Sequence, residues 1–224
     1  MKIIAHVHSP FTEKFGIPRQ SGLTTLQSKI IFEPEYRVPE AFRGLEDYSH
    51  IWILWKFSES ERDEWSPTVR PPRLGGNTRM GVFATRSPFR PNPIGMSSVK
   101  LDKIDLHTSE GPVLYISGAD ILDKTPIYDI KPYLAYTDSH PEAADGFALS
   151  QKEGVLDVEF PSEYLEQVPT ELRNGLIEVL AQDPRPQYQH SHERIYIMAF
   201  GGFEISFTVA ENVLTVCGIS KTKR

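Results

Sequence analysis

A single cysteine, Cys217, excludes any internal disulfide, and its place in the apolar run VLTVCGI predicts a small buried hydrophobe, not a reactive thiol. No apolar run approaches the length of a membrane span; IWILW at 51–55, near the middle, is far too short. The opening MKIIAHVHSPF has one lysine and is interrupted by His6 and His8, so we expect no signal peptide and a cytoplasmic location. Nucleotide-binding fingerprints are missing as well. RLGGN (73–77) has adjacent glycines but not the G-x-G-x-x-G spacing, there is no Walker A lysine, and no βαβ alternation supplies helix N-termini for a phosphate. A nucleophile elbow, G-x-S-x-G, is also absent. His6-x-His8 puts two rings on one strand face and His190-x-His192 repeats the spacing in a loop, but no third ligand has an evident spacing. We therefore expect structural histidines and no metal.

What is present is the composition of a soluble globular protein: 39% hydrophobic, 24% charged, mean hydropathy -0.34. The net charge of -6 argues against a nucleic-acid partner, yet its distribution argues for one. From Ser66 to Leu101 there is no Asp or Glu, while Arg70, Arg73, Arg79, Arg86, Arg90 and Lys100 all fall there. A basic stretch in an acidic chain can build a local surface for phosphate; the alternative is that these arginines pair with carboxylates across the fold.

The first half reads as β. Strands are expected within 2–9, 28–34, 49–57, 79–86, 97–107 and 112–121, and SHIWILWKF (49–57) is apolar enough to be covered on both faces. Pro39 opens a short helix that Gly44 ends. Six closely spaced strands make an antiparallel barrel or sandwich over residues 1–140. Residues 141–153 read as a linker or arm, and 154–224 as a small α+β domain. In that domain Ser162 is the expected N-cap, Pro169 divides the helical stretch 161–182, and three strands turn at Gly201-Gly202 and at AEN.

Two stretches could carry chemistry. In GVFATRSPFRPNPIGMS (81–97), Pro88, Pro91 and Pro93 restrict the backbone around Arg86 and Arg90, which lowers the entropy lost on binding an anion. Gly81 and Gly95 allow close backbone approach. In ADILDKTPIYDIKPYLAY (119–136), Asp120, Asp123, Asp129, Lys131 and Tyr133 lie between the fixed corners Pro126 and Pro132. Acid, cation and aromatic together suit an amino-acid moiety or a stacked base, or simply a turn-rich edge.

Four ordered blocks carry a resemblance. EKFGIPRQSGL (13–23), RGLEDYSHIWILWKF (43–57), RPPRLGGNTRMGVFATRSPFRPNPIGMS (70–97) and LDKTPIYDIKPY (122–133) resemble the TsaA-like tRNA methyltransferase family, TrmO, as does VLAQDPRPQY (179–188). The resemblance implies a β-barrel methyltransferase that uses S-adenosylmethionine, a tRNA substrate methylated on N6 of N6-threonylcarbamoyladenosine at position 37, and a homodimer. It implies cofactor contacts from Pro18, Arg19, Gln20, Ser58, Glu59, Arg86, Met96, Asp123, Lys124, Thr125 and Pro126. At Ser58-Glu59 relatives often carry His-Gln or His-Lys, and at Lys124 they commonly carry Gly. DIKPY is loosely like the acid-Pro-Pro-aromatic motif of other adenine N6-methyltransferases, so Asp129 or Tyr133 is the expected contact to the target base. Arg70, Arg73, Arg79, Arg90, Arg185 and Tyr188 are the expected tRNA contacts. Two alternatives compete with this reading: a non-catalytic RNA-binding barrel, and a metal-dependent hydrolase using the His-x-His pairs.

Overall fold

The computed structural model describes residues 1–60, 64–71, 78–147, 155–185 and 194–222. Six strands close into a barrel in the order β1 (Ala5–His8), β2 (Gln27–Phe32), β7 (Gly111–Ser117), β6 (Ile94–Thr108), β3 (His50–Lys56) and β8 (Pro126–Pro132), which pairs back onto β1. Every pairing is antiparallel. Period-two patterning explains why these residues make strands: Ile51, Ile53 and Trp55 of β3 point inward with Ala5, Val7, Ile30, Leu114, Ile116 and Ile127. The outer face of β3 is only partly covered. There Trp52 donates from Nε1 to Asp138 Oδ2 at 2.8 Å, and its ring lies 5.5 Å from that of Tyr133.

Two sequence expectations change in this half. Strand β8 was not among the expected strands, because prolines stand at both of its ends. Those prolines terminate the strand instead of breaking it, and Pro126 pairs at the rim with His6. Residues 79–86, expected as a strand, form only β5 (Met80–Gly81), paired with β4 (Thr68–Val69), before a 3-10 turn at Val82–Ala84. The short helix at Pro39–Phe42 is present as a 3-10 turn, and Gly44 follows it at φ 83°.

A four-stranded sheet follows, ordered β10 (Tyr196–Phe200), β11 (Phe203–Ala210), β12 (Val213–Lys221), β9 (Asp157–Glu159), with β9 parallel to β12. Helices α2 (Ser162–Leu165) and α3 (Thr170–Ala181) flank it, divided at Pro169 as expected. Ser162 is the first helical residue and Pro161 takes the cap position, one residue earlier than expected. Cys217 is exposed, not buried: alternation along β12 turns Leu214 and Val216 inward and Cys217 out. The core of this sheet is shared with the start of the chain. Phe11 and Leu26 are buried among Leu176, Met198, Phe200 and Phe207, and Gly175 leaves the space that Leu26 fills; a Cβ there would stand 2.2 Å from Leu26. A short helix, α1 (Ala135–Asp138), leaves the barrel. Among the described residues no helix is long and apolar enough to cross a membrane.

Candidate active site

Docking residues 10–26 onto the second sheet has a consequence at the barrel rim. Gly22 N donates to Gly118 O at 2.8 Å and Gly118 N to Leu26 O at 3.2 Å, which holds the Pro18-Arg19-Gln20 segment beside the end of β7. Arg19 donates to the carbonyl of Asp183 at 3.0 Å, tying the same segment to the turn after α3. Opposite it, the turn after β3 is pinned by Lys14, whose Nζ donates to Glu59 O at 2.5 Å. Between them opens a cavity of about 510 Å³, within the range of small-molecule sites.

Four chain segments that are far apart in sequence converge on its wall. Pro18, Arg19, Gln20, Ser58, Glu59, Arg86, Met96 and Thr125 all line it, as do Lys14, Arg90 and Asp120; Ile17, Phe57, Ile94 and Leu122 supply apolar surface. Arg86 donates through Nη1 to the side-chain oxygen of Gln20. The proline-braced loop is rigid for an additional reason: Arg90 donates to Thr85 O at 2.6 Å and Val82 O at 3.2 Å, with its guanidinium 5.7 Å from the centre of the Phe83 ring. Gly95 gives close approach to a side chain of the fold itself, because a Cβ there would stand 2.2 Å from the Trp55 ring. Gly81 has nothing within 4 Å of the equivalent position.

The LDKT turn sits just outside the lining, apart from Leu122 and Thr125. Asp123 N and Lys124 N donate to Phe11 O and Val7 O, each at 2.7 Å, so the turn is anchored by its backbone to β1 and the segment after it. The Asp123 carboxylate accepts from Ser9 N at 3.1 Å and lies 3.9 Å from His8 Nδ1. Lys124 has φ 62°, the left-handed region. Pro126 begins β8.

Asp129 and Tyr133 are elsewhere. Ile130 packs on the barrel core, so Asp129 and Lys131 share the opposite face, where their charged ends are 2.9 Å apart. Tyr133 lies over the outer side of the barrel with Trp52 and His50. Of the expected tRNA contacts, Arg70 and Arg79 are exposed. Arg185 grips Asp183 with two hydrogen bonds, 2.8 and 2.9 Å, and its side chain is only 11% exposed, so it braces the turn beneath Arg19. Arg73, Tyr188, His190 and His192 lie outside the described residues. His6 is 2.9 Å from Glu33, an ordinary pairing on the barrel surface.

Sequence reasoning noticed Asp120 but gave it no place in the site. It lies in the wall with a nearly closed polar environment. The hydroxyl of Ser97 donates to Asp120 Oδ1 at 2.6 Å, and the buried indole of Trp55 donates to Ser97 Oγ at 3.0 Å. Burial pushes the Asp120 carboxyl above its ordinary range; Ser97, its own amide, the Arg86 charge and the Ser21 amide oppose that rise. The signal was available: a single acid inside the apolar run VLYISGADI, flanked by residues that are both buried, Ala119 and Ile121.

Two family models match the chain: the tRNA-methyltransferase O N-terminal domain over residues 6–139, and the TrmO C-terminal domain over residues 154–222. The tRNA (adenine(37)-N6)-methyltransferase of Escherichia coli strain K12 is 42% identical over 217 residues, which span 93% of this chain and 92% of that protein. A putative S-adenosylmethionine-dependent methyltransferase, RcsF, of Pseudomonas aeruginosa is 42% identical over 83% of this chain and 81% of its own length. The crystal structure of TrmO from P. aeruginosa superposes with a TM-score of 0.77 at 31% identity, covering 98% of this chain and 95% of that one.

Proposed function

The chain belongs to the tRNA-methyltransferase O family and is a tRNA (adenine(37)-N6)-methyltransferase; we propose that it takes the methyl group from S-adenosylmethionine and adds it to N6 of N6-threonylcarbamoyladenosine in threonine tRNA. The observation that carries this reading is the convergence of Gln20, Ser58, Arg86 and Thr125 on one cavity from four separate parts of the chain. The enzyme names of the relatives set aside the reading as a non-catalytic RNA-binding barrel.

The lining fits the cofactor by its chemistry. Arg86, Gln20 and Lys14 offer donors for an amino-acid carboxylate, and Ile17, Phe57, Met96 and Leu122 offer apolar surface for a purine and methylenes. The sulfonium of S-adenosylmethionine supplies a methyl group that is already activated, so the protein's task is mainly in-line placement of N6. The clasps between Arg86 and Gln20 and between Lys14 and Glu59 hold the two sides of the cavity at a fixed separation. N6 of this substrate is part of a urea and a poor nucleophile, so an acceptor for its hydrogen adds to the rate.

Arg70 and Arg79 serve the tRNA backbone, residues 1–140 hold the cofactor, and residues 154–224 brace the cofactor segment through Arg19. A second copy of the chain covers apolar surface near the cavity, where Phe83 is 71% and Met96 59% exposed and the rings of Phe83 and Trp65 stack at 6.2 Å. The cytoplasm is where such an enzyme meets its tRNA. Incubation with labelled S-adenosylmethionine and tRNA from cells lacking this activity, followed by nucleoside mass spectrometry, tests the reading. Label on N6-threonylcarbamoyladenosine is the expected result; label on another nucleoside, or none, refutes it.

A further inference from the structure

Methylating a nitrogen that bears a hydrogen leaves one proton to be placed. Two carboxylates are among the described lining residues, Glu59 and Asp120. Glu59 has a side chain 58% exposed, with Lys14 Nζ 3.8 Å from its Oε2, so solvent and a cation already answer its charge. Asp120 is only partly exposed. It follows buried Ala119, precedes buried Ile121, and faces Ser97 of β6, Arg86 of the proline-braced loop and the Ser21 amide.

The hydrogen bonds on Asp120 have a forced direction. An indole N–H can only donate, so the bond from Trp55 occupies a lone pair of Ser97 Oγ. A serine hydroxyl has one hydrogen, and the 2.6 Å contact spends it on Asp120 Oδ1. An ionised carboxylate can only accept, so in that state Oδ1 is held by the Ser97 hydrogen and Oδ2 is the oxygen left open to a proton. Trp55 cannot swing away to relax this chain, because its ring fills the space that Gly95 leaves open. Burial makes the group a stronger base than a solvated carboxylate, which suits a proton acceptor.

We propose that Asp120 is the catalytic proton acceptor of the methyl transfer and that Ser97 and Trp55 are positioning residues that fix which oxygen receives the proton. This role rests on the methyltransferase reading. As N6 gains the methyl group the carbon–sulfur bond breaks, and N6 loses its hydrogen to Oδ2 of Asp120. The sulfonium becomes a neutral thioether and the carboxylate becomes a carboxylic acid, so charge and atoms balance; the acid then releases its proton to solvent. Asp129, on the outer face of the barrel and paired with Lys131, takes no part.

The test is single-turnover methyl transfer to tRNA as a function of pH, beside equilibrium binding of S-adenosylmethionine and of tRNA. Asp120→Asn should slow transfer by roughly 10²- to 10⁴-fold while both dissociation constants stay within about 3-fold. Asp129→Asn should transfer at the wild-type rate. Ser97→Ala keeps the base but removes a donor to its ionised form, so the acid limb of the pH–rate profile should move to higher pH, with activity recovered above it. A merely structural role for Ser97 would leave that limb in place, and such a result overturns the proposal. So does an Asp120→Asn enzyme that turns over at saturating cofactor but binds it weakly, since Asp120 would then be a cofactor ligand. Failure of the wild type to methylate tRNA overturns the methyltransferase reading and this role together; wild-type transfer that survives Asp120→Asn overturns this role alone.

Discussion

Arg86 donates its Nη1 hydrogen to the side-chain oxygen of Gln20 across 66 positions of sequence, and both residues line the same cavity. The bond joins the proline-braced loop to the segment that the second sheet holds in place through Arg19. One residue therefore supports both a binding surface and the spacing of its two sides.

Arg86→Ala should weaken S-adenosylmethionine binding by about 10- to 150-fold, the range expected when a hydrogen bond to a charged group is lost. Calorimetric titration of the purified protein measures this, with a thermal melt to show that the variant is folded. Arg86→Lys should recover only part of the affinity, because an ammonium cannot bridge Gln20 and an anion with a planar fork. Full affinity in Arg86→Ala would remove this arginine from the cofactor site.

Barrel strands with clean alternation were legible in the sequence, as β3 shows: Ile51, Ile53 and Trp55 point inward at every second position. Strand β8 was not, because Pro126 and Pro132 are turn signals until pairing with β1 and β3 uses the positions between them. In the site, Arg86 and Gln20 stood out through local stiffness and resemblance. Asp120 did not, since its significance lies in Ser97 and Trp55, which are 23 and 42 positions away from their respective partners. Arg90 and Arg185 show the converse: a positive charge in sequence does not reveal that its hydrogen bonds turn inward to Thr85 or Asp183. Cys217 shows that an apolar run in a strand gives the period but not its phase.

Lys124 occupies a position whose φ of 62° costs an L-residue about 1–2 kcal/mol, while its backbone N–H anchors the turn to Val7 O. Lys124→Gly relieves that strain and keeps the N–H, at an entropic cost of about 0.5–1 kcal/mol in the unfolded chain. The net effect should be a gain of between about 0 and 1.5 kcal/mol in a urea melt, with cofactor affinity unchanged. A clear loss of affinity would mean that the lysine side chain, not the turn backbone, touches the ligand.

Exposed and engaged arginines should separate in their response to salt. Arg70 and Arg79 are exposed, so replacing both by Gln should reduce the slope of log affinity for tRNA against log salt by about 1.4 to 1.8, as for two phosphate contacts. Arg185→Gln removes a bidentate pair with Asp183, so it should lower the thermal midpoint and leave the slope nearly unchanged. Filter binding across a salt series measures the slopes. A slope insensitive to Arg70 and Arg79 would place the tRNA on another face.

The raised carboxyl of Asp120 also makes a prediction about stability that needs no substrate. Its pKa in the folded chain lies above the unfolded value of about 3.9. Below that value the group is protonated in both states and contributes no pH-dependent difference. As pH rises from the unfolded value toward the folded one, the unfolded chain ionises first, so wild-type stability falls. Above the folded value the loss is complete and constant. Asp120→Asn cannot ionise, yet its amide oxygen can still accept the Ser97 hydrogen. Subtracting the variant's stability from that of the wild type cancels the contributions of other carboxylates, including Asp138, which the Leu134 amide and the Trp52 indole lower. The difference should decline through the acid range and level off, measured by urea unfolding at half-unit pH steps. A difference that rises with pH would mean that Asp120 is stabilised as an anion in the free enzyme, and its burial would then not make it a stronger base.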